Sequence, residues 1–291
     1  LDCCDANYFS EYRTMIRTLL WMITFLFVFN AQSQAQSKYV LKVDKYLTAG
    51  DTSKAIKKLN QYITKRPELA ELYLKRAKLK IDRGDYDPAM VDLNSFCSLN
   101  RICGEAEYLK GLVRFKQRDY NGAIAHLSEY TKIKDHANAW FYLALSHMWL
   151  QNYPLAINGF QKSIQINKNQ PLAYYNAGLA SFYSDNFSNA AIFFSNALEL
   201  STNDTDIKIA RANALMQLKM YAESNTVLRE ISIGDKNYPA ALFNIGVNYF
   251  NLNEKDLACD YWVQAKEIGH LQAEDATERH CEKRLGRVKK W

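Results

Sequence analysis

A small residue recurs along this chain at an almost constant spacing, and this regularity restricts the possible fold more than any other feature. Each copy lies in a motif that reads aromatic-x-x-Ala-apolar-x-x-large, as in YNGAIAHL (120–127) and FSNAAIFF (187–194). The small positions are Ala55, Ala89, Ala123, Ala156, Ala190, Ser224 and Ala258. Five of the six steps between them are 34 residues long and one is 33. Such a period is typical of arrays that stack one supersecondary unit repeatedly.

Two further series follow the same period. A second small residue lies twelve positions before the first, at Ala77, Gly111, Ala144, Gly178, Ala212 and Gly246, and only Val43 departs. A large apolar residue lies four positions after it, at Leu59, Leu93, Leu127, Phe160, Phe194, Leu228 and Trp262. Two antiparallel helices can approach closely only where neither backbone carries a bulky side chain. The paired small positions therefore predict a helix hairpin in each repeat, with the large residue filling the adjacent space.

The five prolines agree with this layout. Pro88 and Pro154 lie at the start of a predicted second helix, where a missing backbone N–H costs little. Pro171 and Pro239 open a predicted first helix, and Pro67 closes a second one. No proline lies inside a predicted helix.

The pattern resembles the tetratricopeptide repeat family, whose repeats have small residues at positions 8 and 20, an aromatic residue at 17 and a bulky one at 24. The clearest copy is PLAYYNAGLASFYSDNFSNAAIFFSNALEL (171–200). The resemblance implies an all-α fold, a right-handed α-solenoid of antiparallel helix pairs. Seven repeats are expected at about 36–69, 70–103, 104–136, 137–170, 171–204, 205–238 and 239–272. Thr52 and Lys255 replace the aromatic residue in the end copies, as is usual for terminal repeats.

Residues 273–291 read as a capping helix followed by a basic tail. Ala273, Ala276, Cys281 and Leu285 lie on one side of this amphipathic segment, which would cover the open end of the stack. Residues 258–281 are also similar to the closing stretch of exported tetratricopeptide proteins from Bacteroidetes-like bacteria.

The first 35 residues are interpreted as an upstream stretch plus a secretory signal. We expect the true start at Met15, followed by Arg17, an apolar run over 19–29 and small residues up to Ala35. An eleven-residue helix rises only ~17 Å, against ~30 Å for a bilayer core. We therefore expect cleavage and a periplasmic or secreted protein, with membrane contact only through this segment before cleavage.

Export changes the interpretation of the cysteines beyond the signal. Four cysteines lie beyond the signal, and an even number of cysteines in an oxidising compartment permits disulfide bonds. The alternative is that these cysteines are buried free thiols. Cys97 and Cys103 flank a short turn between repeats, and Cys259 and Cys281 lie on the last repeat and the capping helix. Each pair is a candidate disulfide.

The sequence contains no recognisable catalytic motif. It lacks a nucleophile elbow, a His-Glu-x-x-His motif and a phosphate-binding glycine loop, and its histidines, at 126, 136, 147, 270 and 280, are scattered. Their spacing, with Cys281 included, matches no common zinc pattern. We therefore expect no catalytic residue, no metal, no cofactor and no enzymatic activity.

The net charge of +6 is mild and lies partly in the last residues, at Lys283, Arg284, Arg287, Lys289 and Lys290. We interpret these as a solvated tail. The predicted inner helix faces lack a basic stripe, so no nucleic-acid partner is expected.

The resemblance implies that the first helices line a concave groove, with repeat positions 5, 9, 12 and 13 facing the groove or its floor. Aromatic side chains offer large contact areas, and asparagine can pair with a peptide backbone. The candidate partner-binding residues are Tyr108, Phe141, Trp149, Tyr175, Asn176, Tyr183, Asn213 and Asn244. Positions 5, 8, 9 and 12 also form the stripe of a buried helix face, so these aromatics can equally be core.

These observations favour a non-enzymatic scaffold or adaptor in the bacterial cell envelope that binds a partner protein or peptide in its groove. The alternative is a module whose aromatic groove binds glycan or peptidoglycan fragments. The sequence predicts neither the partner's identity nor the oligomeric state.

Overall fold

The close pairing of small and large residues produces an array of helices. The structure, a computed structural model, describes residues 38–100 and 102–288, and describes side chains as far as Cys281. Every regular element in these ranges is a helix, as the sequence predicted. The proposed signal segment and start site, and the end of the basic tail, lie outside the described residues.

The chain divides into two units, Leu1–Val113 and Arg114–Trp291. In the first, the helices are 38–48 (α1), Thr52–Lys65 (α2), Ala70–Arg83 (α3), Tyr86–Leu99 (α4) and most of Gly104–Lys116 (α5). In the second, they are Tyr120–Ile133 (α6), Ala137–Trp149 (α7), Tyr153–Ile166 (α8), Pro171–Tyr183 (α9), Phe187–Leu200 (α10), Thr205–Gln217 (α11), Tyr221–Arg229 (α12), Tyr238–Asn251 (α13), Lys255–Glu267 (α14) and Leu271–Val288 (α15). Consecutive helices of the second unit pack on one another from α6 to α15.

The hairpin of α9 and α10 shows why the small positions are required. A Cβ atom added to Gly178 would lie 2.6 Å from Cε1 of Phe194, closer than carbon atoms can approach. Phe194 is fully buried, so its ring has no room to retreat. The pair Gly246 and Trp262 meets in the same way between α13 and α14. The small residue of one helix thus accommodates the large residue of the next.

Ser224 is the one small position on a second helix that is not alanine, and it has a polar role. Its hydroxyl donates to the carbonyl oxygen of Ala212, its paired small position, at 3.1 Å. The same hydroxyl accepts from Nδ2 of Asn248 at 3.0 Å. A serine therefore links three helices without widening the crossing.

The turn within each hairpin also repeats. One residue of each turn has a left-handed backbone, namely Gly50, Gly84, Arg118, Gln151, Asp185, Lys219 and Asn253. In the turn after α9, the N–H of Asn186 donates to the carbonyl of Ser181 at 2.9 Å, closing the helix end in a Schellman arrangement. The Asn186 side chain then caps α10 by accepting from the N–H of Asn189. One short polar turn ends one helix and starts the next.

The last two helices are joined covalently. Cys259 of α14 and Cys281 of α15 are both buried and form a disulfide, with their Cα atoms 5.7 Å apart. His280 lies against the rings of Phe250 and Trp262, with ring centroids 4.7 and 5.7 Å away. The terminal helix therefore packs on α13 and α14 in the manner of a cap.

The predicted bond between Cys97 and Cys103 is not formed, and both are free thiols. Sγ of Cys97 accepts from Nζ of Lys110 at 3.6 Å, and Sγ of Cys103 donates to the carbonyl of Asn100 at 3.7 Å. Burial, and then a hydrogen bond with Cys103, raise the pKa of the Cys97 thiol to about 11. Because the thiolate is the reactive form, the raised pKa makes the Cys97 thiol less reactive than an ordinary cysteine at neutral pH.

Among the described helices, none combines the length and apolar character needed to cross a membrane.

The glycine crossing predicts that Gly178→Ala lowers the free energy of unfolding by about 1–3 kcal/mol, because the added methyl overpacks against Phe194. Gly104→Ala is the matched control, since a Cβ there meets nothing within 4 Å. Urea unfolding followed by far-UV circular dichroism measures both. Equal stability of the two variants would show that the crossing is not closely packed.

The disulfide predicts that reduction loosens α15. Closing a loop of this size stabilises the folded state by about 3 kcal/mol. Reduction should therefore accelerate amide hydrogen exchange in α15 by up to about 100-fold, with α9 as internal control. Unchanged exchange in α15 would mean that noncovalent packing alone holds the helix.

Candidate functional site

A pocket of about 640 Å³ lies between the first helices α9 and α11, within the second unit. Its α9 wall consists of Pro171, Leu172, Tyr175, Leu179, Phe182 and Tyr183. Its α11 wall consists of Asp206, Ile207, Ile209, Ala210 and Asn213, preceded by Ser201 and Asp204, and Phe194 of α10 also contributes. The pocket is mainly apolar, with a polar edge at the start of α11.

Helical periodicity places these side chains on one side of α9. Leu172, Tyr175, Leu179 and Phe182 follow one another at steps of three and four residues, so they share a face. The alanines at 173, 177 and 180 lie on another face and are fully buried. The small face packs the helix most closely into the array, while Tyr175, Leu179 and Phe182 on the bulky face are partly buried and also line the pocket.

The pocket exposes large apolar side chains at both ends of α9. Leu172, at the start of the helix, is 64% exposed, and Tyr183, at its last residue, is 57% exposed. The two residues are ~16 Å apart along the helix axis. Single exposed apolar residues are ordinary, but two at the ends of one apolar pocket form a continuous surface that a ligand can cover.

Two carboxylates lie at the polar edge. Asp204 caps α11, and its Oδ1 accepts from the backbone N–H groups of Asp206 and Ile207. Oδ2 of Asp206 pairs with Nζ of Lys236 at 2.7 Å, and Oδ1 accepts from Nδ2 of Asn237 at 2.7 Å. The bond from Lys236, and then the bond from Asn237, lower the pKa of Asp206. The carboxylate of Asp206 is therefore negatively charged at neutral pH.

The negative charges of Asp206 and Asp204 also act on Tyr175, in the opposite wall of the pocket. Burial raises the pKa of the Tyr175 phenol, and the charges of Asp206 and Asp204 raise it further. The phenol is therefore neutral at physiological pH and sits in the field of both carboxylates.

The structure brings together three of the eight predicted binding residues: Tyr175, Tyr183 and Asn213 line the pocket. Phe141 is half-buried against the core, with its ring 5.7 Å from that of Phe160. Tyr108 packs against the core of the first unit. These two aromatics at repeat position 5 are thus packing residues.

The other predicted residues have different roles. Nδ2 of Asn176 donates to the carbonyl of Leu172 in its own helix at 2.7 Å. Nδ2 of Asn244 donates to Oδ1 of Asn213 at 3.0 Å and so links α13 to α11. Trp149 is 63% exposed but stacks on Tyr120 and lies outside the pocket. Tyr183 stacks on Tyr153 in the same way.

Sequence reasoning missed the aliphatic and acidic parts of the pocket, chiefly Leu172, Leu179, Ile209, Asp204 and Asp206. The sequence predicts only that Leu172, directly after the helix-opening Pro171, lies in a helix, as the corresponding residue does in any repeat. Its exposure depends on the distance between neighbouring first helices, which periodicity alone does not give. The acidic bias of this region was readable from the sequence.

Among the described residues, no three histidine, cysteine, aspartate or glutamate side chains are grouped so as to hold a metal ion.

Comparison with known proteins agrees with the repeat geometry. Two tetratricopeptide repeat family models match the chain, one over residues 108–171 and one over residues 240–267. Over these residues the chain matches the tetratricopeptide repeat family. No curated protein sequence matches this chain.

Solved structures with a similar fold cover most of this chain. One from Cytophaga hutchinsonii, the C-terminal part of a TPR repeat-containing protein, has 19% identity and a TM-score of 0.64, covering 80% of this chain and 97% of that one. One from Parabacteroides merdae has 16% identity and a TM-score of 0.57, covering 82% and 94%. MamA has 27% identity and a TM-score of 0.53, covering 56% of this chain and 96% of its own.

Tetratricopeptide repeat proteins are in general non-catalytic scaffolds that bind other proteins or peptides. The pocket between α9 and α11 is compatible with that role, since it presents an apolar surface and polar groups already engaged in structural hydrogen bonds.

The packing of Phe141 and Trp149 predicts that their replacement by alanine lowers the free energy of unfolding by different amounts. Phe141→Ala should lower the free energy of unfolding by roughly 2 kcal/mol or more, because it leaves a cavity beside Phe160. Trp149→Ala should cost about 1 kcal/mol, the worth of its stack on Tyr120. Urea unfolding of both variants compares them, and an equal loss would place Trp149 in the core.

Proposed function

We propose that this protein is a non-enzymatic adaptor that binds an extended segment of a partner protein in the pocket between α9 and α11. The observation that carries the proposal is the exposure of Leu172 and Tyr183 at the two ends of one apolar pocket. Covering such side chains releases water from apolar surface, at about 25 cal/mol per Å² removed from solvent. A partner that lies along α9 gains this stabilisation at both ends.

The size of the pocket suits a short peptide segment. The thirteen residues of α9 rise ~20 Å, which equals the length of about six residues of extended chain. The backbone groups of such a segment need hydrogen-bond partners, and the amide of Asn213 lies on the opposite wall. The apolar side chains of the segment would anchor it, and polar groups would set its register.

We further propose that the adaptor acts in the cell envelope, in the periplasm or as a secreted protein. Support comes from the apolar run and small residues that precede the repeats. The bond between Cys259 and Cys281 is compatible with an oxidising compartment.

One observation favours a glycan-binding function as a second candidate. Tyr175 and Tyr183 lie beside Asp204 and Asp206 on one open pocket, an arrangement that can bind sugar rings. However, Asp204 caps a helix, and both oxygens of Asp206 are hydrogen-bonded. The carboxylates therefore act on a ligand chiefly through charge, which a neutral sugar does not sense. Leu172, Leu179 and Ile209 also fit apolar side chains better than hydroxyl groups.

The proposal predicts that peptides selected by the purified protein from a random display library bind at this pocket. Fluorescence anisotropy with a labelled selected peptide should show at least tenfold weaker binding to the double variant Leu172→Ala/Tyr183→Ala, because both anchoring contacts are lost. Leu155→Ala/Ile192→Ala is the matched control: these side chains are 56% and 58% exposed but lie outside the pocket. The control should bind like the wild type.

Equal binding by the pocket variant and the wild type would contradict the proposal. A glycan array run on the same proteins separates the second candidate, because glycan binding lost only in the pocket variant would favour it. Circular dichroism verifies that all variants remain helical.

A further inference from the structure

The pocket lies in an acidic stretch of an otherwise basic chain. The net charge of the sequence is +6, yet residues 169–207 contain no lysine, arginine or histidine. Their charged residues are Asp185, Glu199, Asp204 and Asp206. This stretch contains all of α9 and α10 and the start of α11, which together form most of the pocket.

The side chains that line the pocket show the same excess of negative charge. Asp204 and Asp206 line the pocket, and no cationic side chain is among its lining residues. Lys236 pairs with Asp206 from outside the lining and is 72% exposed. Asp235, next to it in sequence, adds a further carboxylate that binds Thr205 and the backbone N–H of Asn237. Three carboxylates thus lie around one exposed lysine.

Apolar walls make this charge imbalance more effective. Charges at the edge of a concave apolar surface are screened less by water than charges on an open surface. The upward shift in the pKa of Tyr175, caused first by burial and then by Asp206 and Asp204, agrees with a negative field that spans the pocket.

We infer that the partner segment carries a lysine or arginine beside the apolar side chain that anchors it in this pocket. The apolar anchor would contact Leu172, Tyr175 and Leu179, and the cationic side chain would extend along the wall to Asp204 and Asp206. Segments rich in aspartate or glutamate, and free C-terminal carboxylates, are repelled. The inference rests on the proposed function, since it specifies the ligand of the same pocket.

Synthetic peptides test the inference directly. A labelled peptide from the library selection is made in three forms, with lysine, serine or glutamate on both sides of its apolar anchor. Affinity should fall in that order, by about two- to fivefold for each step, as expected for a partly exposed charge contact. The advantage of the lysine form should shrink as salt is raised, because salt screens exposed charges.

Variants of the protein separate charge from structure. Asp204→Asn/Asp206→Asn removes both charges, while asparagine keeps the helix cap at 204 and one of the two hydrogen-bond acceptors at 206. This variant should lose the preference for the lysine form and bind the serine form as before. Lys236→Gln should have the opposite effect and bind the lysine form about two- to fivefold more tightly.

The outcomes distinguish the inference from the function on which it rests. If the serine form binds at the pocket but the lysine form binds no more tightly, the inference is overturned and the adaptor function stands. If glutamate improves binding, the inference is overturned in the same way. If no peptide binding depends on Leu172 and Tyr183, the proposed function fails and the inference fails with it.

Discussion

The close crossing of two helices at paired small residues is the interaction on which the other features of this protein depend. Gly178 leaves space that the ring of Phe194 fills, and an added methyl group would collide with that ring. Because this crossing is so close, packing places the second helix of the hairpin, and the short polar turn alone does not. Substituting such a small residue therefore disturbs the position of two helices, not one.

The same crossing explains where a ligand can bind. A first helix packs most closely through its alanines and glycines, which leaves its bulky side chains partly accessible. In α9 these are Leu172, Tyr175, Leu179 and Phe182, which form one wall of the pocket. Tyr175, Leu179 and Phe182 also pack against the core around Phe194, so this face contributes both to packing and to the pocket.

The sequence predicted the helix pairs well, because small residues and prolines are direct consequences of helix packing and backbone chemistry. It predicted the pocket only in part. Tyr175 and Tyr183 follow from repeat position, but Phe141, at the position equivalent to Tyr175, lies outside the pocket. Both side chains are partly buried, and Tyr175 contacts Phe194 as Phe141 contacts Phe160. Asn244 looked like a ligand contact and instead binds Asn213 across two helices. Contacts between repeats depend on spacing and side-chain conformation, which a 34-residue period does not encode.

The central claim is that a partner segment lies between α9 and α11. The most direct measurement is a methyl and amide NMR titration of the isotopically labelled full chain with a library-selected peptide. Shift changes concentrated on Leu172, Leu179 and Ile209, with Ile192 and Leu155 unchanged, are the predicted result. Changes concentrated on the second helices α8 and α10, with the pocket residues silent, would contradict it.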